Sequence, residues 1–383
     1  MRRIPFKIGF IGGGINSAVG NTHRIAAQMD CRFVLEAGCF STRTKINRET
    51  ARQWGVDEFR VYDDWRTLLD AEKGKLDAVC VLTPTPIHAE IVVEALRKGF
   101  AVICEKTLAT SSREAAAICR AVEARGGFLA VTYNYTGYPM LRELRQMILR
   151  GRLGRIHLIQ IEMPQEGYIR LDKQGKPVRP QAWRLQDREV PIVSLDLGSH
   201  LHNMIYFLTA KRPLEVVADQ ASCGFFRPVI DNVMCLARYE NDMRAQIWYG
   251  KMALGHRNGL RVRVYGDRGG AEWFQMVPEE LILNDAGGKR QIVDRASSCV
   301  EIADQPRYNR FKSGHPAGFI EAFANHYYDI ADALLEFRKT GRYQSPWVFT
   351  AQLAEEGLKM LEAMSRSAKN HCWQKISAAK NRK

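Results

Sequence analysis

The first third of the chain alternates short apolar runs with stretches whose apolar positions recur at helical spacing. Five apolar runs have the length and composition of strands buried on both faces: "KIGFIGGG" (7–14), "RFVLEAGCF" (32–40), "LDAVCVLT" (76–83), "FAVICE" (100–105) and "FLAVTYN" (128–134). Helical patterns lie between or before them at 15–29, 48–55, 62–74, 88–99 and 111–127. Strands that alternate with helices of this length predict a doubly wound parallel sheet over residues 1–136.

The pattern changes after about residue 136. A helical stretch at 139–150 leads into a strand-like run, and further runs then come without helices between them: "RIHLIQIEM", "LEVVADQASC", "DNVMCLARYE", "RAQIWYGKMA" and "LRVRVYG". Runs separated by short turns predict an open, mainly antiparallel sheet. Helices are predicted at 318–337 and at about 346–365. The second domain is therefore an α/β domain over 137–383, whose last helix is free to pack back on the first domain.

Charge and composition narrow the class of partner. The net charge is +14 at pH 7, but basic side chains are spread along the chain and interleaved with acidic ones, so no nucleic-acid surface is predicted. The single local cluster lies in the tail: Lys369, Lys375, Lys380, Arg382 and Lys383. The excess of positive charge suits an anionic ligand, such as a dinucleotide or an acidic substrate.

The sequence also predicts a cytoplasmic protein without a membrane partner. No apolar run is long enough to span a bilayer. The basic N-terminus leads into an apolar stretch with five glycines and no signal-peptidase site, which predicts a strand and loop rather than a signal peptide. Nine cysteines occur singly, some of them in apolar segments (Cys80, Cys104, Cys235), so we expect free thiols and no metal site.

The first predicted strand runs into a glycine-rich loop. Gly12 and Gly14 fill the first two positions of the dinucleotide fingerprint, Ile15 and Asn16 follow, and Ser17, which is small, stands at the third position. Glycines there allow a tight turn and a close approach of the backbone to a pyrophosphate at a helix N-terminus. A merely tight turn is the alternative, but the position after a first strand and before a helix favours dinucleotide binding.

The second strand decides which dinucleotide is bound. A carboxylate at its end would hold the ribose hydroxyls of NAD, but this strand ends in Ser41-Thr42-Arg43, and Glu36 lies in mid-strand. A missing acid and a nearby arginine suit the 2′-phosphate of NADP. Alternatively, Ser41 or Thr42 bonds the ribose of NAD while Arg43 is solvated. The sequence leaves NAD and NADP both open.

Several motifs in this order resemble the Gfo/Idh/MocA oxidoreductases: the glycine loop, "TPTPIH" (83–88), "EKTL" (105–108) and "SLDLGSHLHN" (194–203). Two further stretches resemble the branch that acts on inositols and anhydrosugars: "TYNYTGYP" (132–139) and "HPAGFIEAFANHYYDIADAL" (315–334). The resemblance implies a Rossmann domain that binds a nicotinamide dinucleotide. It also implies a second α/β domain whose open sheet shapes the substrate site and forms oligomer contacts.

Lys106 matches the lysine of the family's Glu-Lys-Pro motif. It follows the predicted strand "FAVICE", and ligands bind at the carboxyl ends of strands in doubly wound sheets. An ammonium group there would bond the reacting hydroxyl and favour its alkoxide. Glu105 is expected to fix the loop or to orient the lysine beside the cofactor. Thr107 replaces the usual proline, which puts the rigidity of the loop in doubt but not the amine.

Asp196 and His200 match the family's Asp-x-x-x-His, and their spacing places them on one face of a helical turn. The resemblance makes His200 the general base, which its ordinary pKa near neutrality suits. Asp196 is expected to orient a substrate hydroxyl or the imidazole. A capping aspartate and a structural histidine are the alternative. His202 and Asn203 are weaker candidates for substrate contact.

The remaining candidates come from the same motif matches, and each has a packing role as its alternative. Three match the loop near the nicotinamide ribose: Thr83, Pro84 and His88, of which His88 would otherwise begin a helix. Asn134 is expected to border the cofactor and Tyr135 the substrate. Trp183 and Arg184 match a substrate loop of the narrower branch, where the arginine could also bind an acidic group.

The motifs together predict an NAD(P)-dependent dehydrogenase that acts on a secondary hydroxyl of a sugar, cyclitol or sugar derivative. Two alternatives remain open: a non-catalytic dinucleotide-binding regulator of the same fold, and a cofactor-assisted glycosidase. A homodimer or homotetramer is expected, because one exposed face of the later sheet carries apolar residues and large exposed apolar patches usually mark interfaces. Ile247, Tyr249 and Met252 are predicted to lie on that face.

Overall fold

The computed structural model describes residues 4–377. The strands are β1 (Phe6–Gly12), β2 (Phe33–Cys39), β3 (Ala78–Leu82), β4 (Ala101–Glu105), β5 (Leu129–Thr132), β6 (Ile156–Pro164), β7 (Pro213–Ala221), β8 (Asn232–Tyr239), β9 (Arg244–Gly250), β10 (Arg261–Gly266), β11 (Gly269–Phe274), β12 (Leu281–Asp285), β13 (Arg290–Val293) and β14 (Gln374–Lys375). The α-helices are α1 (Gly20–Met29), α2 (Thr44–Trp54), α3 (Trp65–Ala71), α4 (His88–Arg97), α5 (Ser112–Arg125), α6 (Pro139–Leu149), α7 (Ser199–Thr209), α8 (Phe319–Thr340) and α9 (Ala351–Asn370).

The structure bears on two sequence predictions, the basic tail and the lack of a membrane span. Lys369 and Lys375 of the basic tail are exposed, whereas Lys380, Arg382 and Lys383 lie outside the described residues. Within residues 4–377, no helix combines the length and the apolar character that crossing a membrane requires.

The chain forms two compact units, one made of the residues up to 137 with 318–355, the other of 138–317 with the residues from 356 on. Helix α8 thus belongs to the first unit, whereas the predicted second domain ran over 137–383 and only its last helix was expected to be free to pack back on the first domain. The physical reason is the aromatic face of α8. Phe323 and Tyr327 pack against His23 of α1, with ring centroids 4.5 and 5.8 Å from the imidazole.

The first unit contains the predicted doubly wound sheet. Its five parallel strands have the order β2-β1-β3-β4-β5, so the carboxyl ends of all five lie along one edge. The chain runs outward from β1 in one direction to β2 and in the other to β3, and this reversal marks where such sheets bind ligands. Every residue of β3 and β5 is buried, as the continuous apolar runs predict.

The second unit is built on a nine-stranded sheet of order β13-β12-β11-β10-β6-β9-β8-β7-β14. Neighbouring strands are antiparallel except β6 and β9, which are parallel, so the predicted mainly antiparallel sheet is confirmed. One face is covered by helices. Leu361 of α9 approaches Gly198, just before α7, and the hydroxyl of Tyr249 on β9 donates to Ser194 Oγ at 2.9 Å.

The prediction that Ile247, Tyr249 and Met252 lie on the open face of this sheet was wrong for two of the three residues. Ile247 and Tyr249 are 2% and 0% exposed, because they point to the helix-covered face, and Met252 is half-buried beyond the end of β9. Side chains alternate along a strand, so a phase error of one residue exchanges the two faces. The open face instead presents Met234 and Leu236 of β8, each 52% exposed.

Candidate active site

The glycine loop after β1 has a conformation that only glycine allows. Gly12 and Gly13 have φ values of +83° and +75°, in the left-handed region that side chains disfavour. A Cβ atom on Gly12 would lie 2.8 Å from the carbonyl carbon of Leu82, and one on Gly20 only 1.6 Å from the carbonyl oxygen of Gly13. The loop therefore passes directly over the end of β3 and the first turn of α1.

Hydrogen bonds tie this loop to its surroundings. The amide of Gly14 donates to the carbonyl of Phe40 at 3.0 Å, and the amide of Ile15 to Thr50 Oγ1 at 3.1 Å. Ser17 Oγ accepts from the amide of Gly20 at 3.3 Å, so the residue at the third fingerprint position satisfies a donor at the start of α1. Helix α1 begins at Gly20 and not at residue 15, where the sequence pattern had placed its start.

The end of β2 carries no carboxylate of its own. Ser41 Oγ accepts from the amide of Arg43 at 3.1 Å, and the side chains of Thr42 and Arg43 are exposed. Glu36 is ion-paired with Arg60 on the neighbouring segment, so its carboxylate is already engaged. This arrangement agrees with the view that Glu36 does not serve a ribose.

Two buried polar atoms at the same edge of the sheet fit a polar ligand. Thr83 Oγ1 follows β3 and Asn134 Nδ2 follows β5, and neither has a hydrogen-bond partner among residues 4–377. A buried donor or acceptor without a partner is costly, and a ligand with its own polar groups would remove that cost. Together with the glycine loop, these residues fit a nicotinamide dinucleotide. Pro84 is exposed beside Thr83, and Tyr135 is buried with its ring edge-on to Phe319 at 5.8 Å.

His88 has a bracing position. It is the first residue of α4, it is buried, and its ring nitrogens lie 2.7 Å from the carbonyl oxygen of Thr83 and 2.9 Å from that of Thr107. Burial lowers the pKa of His88, although both carbonyl contacts act in the opposite direction. The ring thus connects the loop after β3 to the loop that follows Lys106. This position agrees with the alternative that His88 begins a helix, and it adds a structural role for the side chain.

Lys106 comes directly after β4, half-buried, and the peptide bond between Lys106 and Thr107 is cis. The carboxylate of Glu105 points inward, where its Oε1 accepts from Thr132 Oγ1 at 2.6 Å and lies 3.3 Å from His23 Nε2. Burial alone would raise the pKa of Glu105, but the hydrogen bond and charge of His23, the charge of Lys106 and the Thr132 hydroxyl outweigh it and lower the pKa.

Asp196 of the second unit is held by two cations. It lies on a single π-helical turn (Ser194–Gly198) that leads into α7, a kind of irregularity often found at functional sites. Its Oδ2 accepts from Arg184 Nη1 at 2.8 Å and from Lys251 Nζ at 2.5 Å. Trp183 completes this part of the site, since the Arg184 guanidinium lies 4.5 Å from the centre of its ring. The unit therefore brings together the substrate-loop and helix candidates of the sequence.

Lys251 was not foreseen from the sequence, although a signal was present. It continues the buried register of β9, in which Ala245, Ile247 and Tyr249 are buried, and it is itself 7% exposed. A lysine at a buried strand position implies a partner. Its ammonium also lies 5.4 Å from the ring centre of Tyr168.

Tyr168 lies next to Arg184 and Lys251, the two cations that hold Asp196. Its hydroxyl donates to the carbonyl oxygen of Arg184 at 2.9 Å, which fixes the loop that carries that arginine. Burial raises the pKa of Tyr168, and the charge of Asp196 raises it further, so the phenol keeps its proton and remains a donor.

The histidines of α7 have different surroundings. His200 lies in the first turn of the helix and is 6% exposed, one turn beyond Asp196. His202 is a packing residue. Its Nε2 is 3.5 Å from a carboxylate oxygen of Glu356, and its Nδ1 lies 2.9 Å from where a Cβ on Gly357 would stand. Asn203 is buried as well, at 1% exposure.

The fold and these two groups of residues define a class: an oxidoreductase with a dinucleotide-binding Rossmann unit and a second unit that carries ionisable site residues. Residues 6–133 match the oxidoreductase family with an NAD-binding Rossmann fold, and residues 141–272 match the GFO/IDH/MocA C-terminal domain. The chain belongs to the Gfo/Idh/MocA oxidoreductase family. The predicted family and fold class are thereby confirmed, as is the nicotinamide dinucleotide as cofactor.

The similarity to known proteins covers most of the chain. The uncharacterized oxidoreductase YfiI of Bacillus subtilis is 31% identical over 86% of this chain and 86% of its own length. The levoglucosan dehydrogenase of Pseudarthrobacter phenanthrenivorans is 26% identical over 69% of this chain and 72% of its own. A crystal structure of an inositol dehydrogenase homolog from Azotobacter vinelandii, complexed with NADH and myo-inositol, has a TM-score of 0.87 at 29% identity over 97% of each chain.

Proposed function

We propose that the protein is an NAD(P)-dependent dehydrogenase that acts on a secondary hydroxyl of a sugar, cyclitol or sugar derivative. The observation that carries the proposal is the position of Lys106 at the carboxyl edge of the sheet that also holds the glycine loop, Thr83 and Asn134. The carbohydrate class is supported by the relatives, which include a levoglucosan dehydrogenase and a homolog of inositol dehydrogenase.

Each proposed catalytic residue has a distinct task. The Lys106 ammonium donates a hydrogen bond to the reacting hydroxyl and stabilises the negative charge that develops on its oxygen. His200 acts as the general base that removes the hydroxyl proton. Asp196, whose carboxylate is fixed by Arg184 and Lys251, accepts a hydrogen bond from a substrate hydroxyl and thereby orients the sugar ring. A bound nicotinamide would supply the acceptor or donor of the hydride.

The residues assigned to the cofactor all belong to the first unit. We assign the pyrophosphate to the loop at Gly12, Gly14, Ile15 and Asn16, and the adenosine ribose to Ser41, Thr42 and Arg43. The nicotinamide end is assigned to three further side chains and to the loops that they border: Thr83, Pro84 and Asn134. His88 and Glu105 are assigned to hold these loops in place. The His88 ring nitrogens contact the carbonyl oxygens of Thr83 and Thr107, and the Glu105 carboxylate accepts from Thr132. Substrate contacts are assigned to Tyr135, Trp183 and Arg184 besides the catalytic residues.

A substrate panel tests the proposal. The purified protein is incubated with NAD⁺ or NADP⁺ and polyols, sugars, anhydrosugars including levoglucosan, cyclitols including myo-inositol, and nucleotide sugars. We expect reduced nicotinamide to accumulate, as followed by its absorbance, with at least one of these classes. Cleavage of a glycoside without net reduction of the cofactor would contradict the proposal and favour the cofactor-assisted glycosidase.

Cofactor selectivity depends on Arg43. Its exposed guanidinium follows a strand end without a carboxylate, so we expect NADPH to bind at least as tightly as NADH in calorimetric titrations. Arg43→Ala should then weaken NADPH by about tenfold, the value of one lost charge-assisted hydrogen bond of about 1.5 kcal/mol, and leave NADH unchanged. Arg48→Ala, also exposed on α2, is the matched control. Equal losses for both dinucleotides would exclude a 2′-phosphate contact.

We also propose that copies of the chain associate through the open face of the second unit's sheet in a homodimer or a homotetramer. Met234 and Leu236 of β8 expose about half of their side-chain surface there, beside Trp248 of β9. Light scattering at micromolar concentration should show an oligomer. Leu236→Glu should dissociate it, since a charge is costly in a buried interface, whereas Leu254→Glu, on an exposed loop, should not. A monomeric wild-type protein would overturn this assignment.

A further inference from the structure

A series of buried polar side chains lies beneath Glu105 in the first unit. Glu105 Oε1 lies 3.3 Å from His23 Nε2, and His23 Nδ1 lies 2.6 Å from the hydroxyl of Tyr327. That hydroxyl is 3.4 Å from Cys80 Sγ, while Thr132 Oγ1 donates to the same Glu105 oxygen at 2.6 Å. His23, Tyr327, Cys80 and Thr132 are at most 1% exposed.

The protons in this series can be assigned from chemistry. The carboxylate of Glu105 only accepts, so His23 must present its Nε2–H to it. With a neutral imidazole, Nδ1 then accepts from the Tyr327 hydroxyl, and the oxygen of Tyr327 accepts from the thiol of Cys80. Burial raises the pKa of Tyr327 and raises that of Cys80 to about 12, so both keep the protons that this order requires. Each hydrogen bond is satisfied, with the formal charge on Glu105.

The series connects four elements that are remote in sequence. His23 belongs to α1, which opens at the glycine loop, Tyr327 to α8, Cys80 to β3 and Thr132 to β5. The imidazole is enclosed by aromatic rings, with the centroid of Phe323 at 4.5 Å and that of Tyr327 at 5.8 Å. This enclosure leaves the ring little freedom, because buried side chains in close-packed surroundings stay in one rotamer.

We propose that His23 and Tyr327 are positioning residues, which hold Glu105 as an oriented carboxylate beside Lys106. They do not touch a substrate or a cofactor. They act through Glu105, which sets the charge next to the Lys106 ammonium and anchors the end of β4 from which that lysine projects. The inference rests on the proposed catalytic role of Lys106.

The energetic reason is the cost of burying a carboxylate. A buried charge is stable only when it is paired and hydrogen-bonded, and removal of one partner leaves it uncompensated. The pKa of Glu105 lies below its ordinary value because His23, Lys106 and Thr132 together outweigh burial. The titratable groups that face Glu105 from the surrounding elements are His23, Cys80, His88, Cys104, Lys106, Tyr133 and Tyr327.

The sign of the pH effect follows from this balance. A carboxylate with a lowered pKa stays ionised until the pH falls below that pKa. In His23→Leu the main lowering influence is gone, burial dominates, and Glu105 takes up a proton at a higher pH. We expect the acid limb of the kcat/KM profile to move upward by about one pH unit or more, a tenfold change in proton affinity.

Infrared spectroscopy of the protein without substrate measures the same titration directly. The carbonyl band of a protonated carboxylic acid is followed against pH and assigned to Glu105 by its absence in Glu105→Gln. We expect the band at higher pH in His23→Leu than in the wild type. His23→Gln, whose amide offers an N–H donor in place of the imidazole, should restore most of the wild-type titration.

Tyr327→Phe gives a milder test that preserves the shape of the core. Loss of one hydrogen bond to His23 should lower kcat by about fivefold and leave the dissociation constant of NADH unchanged. Tyr328→Phe is the matched control, because this neighbouring ring lies 4.3 Å from the guanidinium of Arg32. Thermal unfolding of each variant shows whether a loss of activity reflects a loss of folded protein.

The outcomes separate this inference from the proposed function. Wild-type infrared titration and pH profile in His23→Leu would overturn the positioning role, even with Lys106 catalytic. Full turnover in Lys106→Ala would instead remove the proposed function, and with it the purpose of the series, whatever the infrared result. Equal loss in Tyr327→Phe and Tyr328→Phe would also overturn the positioning role.

Discussion

Replacing His200 by alanine is expected to lower turnover by about a hundred- to ten-thousand-fold, the usual effect of losing a general base. Lys106→Ala should cause a similar or larger loss, because it removes the positive charge where the alkoxide develops. Neither change should alter dinucleotide affinity much, since the pyrophosphate is assigned to backbone amides of the glycine loop. Steady-state kinetics on the substrate found by the panel, with calorimetric titration of NADH, measure both quantities.

The double variant adds a test of joint action. Residues that serve one chemical step are not additive, so Lys106→Ala with His200→Ala should lose less than the product of the two single losses. Lys75→Ala and His256→Ala, both exposed, are matched controls that should keep wild-type turnover. Near-wild-type turnover in either single variant would remove that residue from the mechanism. If both variants kept it, the protein would be better described as a non-catalytic dinucleotide-binding regulator.

The second large effect is expected from Gly20→Ala. A Cβ there would stand 1.6 Å from the carbonyl oxygen of Gly13, which is backbone and can move away only if the whole loop moves. The loop would then lose the geometry that lets its backbone come close to a pyrophosphate. We expect NADH affinity to fall by about a hundredfold or more, which corresponds to about 2.8 kcal/mol, in a fluorescence or calorimetric titration.

Gly167→Ala is the matched control, since a Cβ at Gly167 would meet no atom within 4 Å. Gly12→Ala is a second variant of the loop, with the nearest clash at 2.8 Å, and should give a smaller loss of affinity. Circular dichroism separates a damaged loop from an unfolded chain. If Gly20→Ala folded and bound NADH like the wild type, the loop would not be the pyrophosphate site.

Local patterns in the sequence predicted much of the fold correctly. Alternating apolar runs and helical stretches predicted the parallel sheet, because both the strand and the helix period are local properties. Ser111, a residue type that favours helix N-caps, stands directly before α5, and its Oγ accepts from the Glu114 amide at 3.3 Å. The glycine loop was also recognisable, because positive φ angles and close backbone approach demand glycine wherever the loop occurs.

Other features depended on contacts between distant residues. The pairing of His23 with Tyr327 joins positions 304 apart, and no local period encodes it. The role of Glu105 was therefore predicted only as fixing the loop or orienting a lysine, whereas the structure shows which partners hold its charge. The membership of α8 in the first unit has the same cause, since its aromatic face finds its partner only when the chain has folded.

The sequence by itself determined the family, the alternation of strands and helices in the first unit, and the residue types of the motifs at the candidate site, since these are properties of short segments. Only the tertiary structure decided which face of β9 is covered. Side chains alternate between the two faces of a strand, so a shift of one residue in the predicted pattern exchanges the covered face for the open one. That same choice placed Lys251 in the buried register, where its ammonium meets Asp196 at 2.5 Å. A buried lysine needs a counter-charge, and its identity follows from the packing of the sheet rather than from any motif.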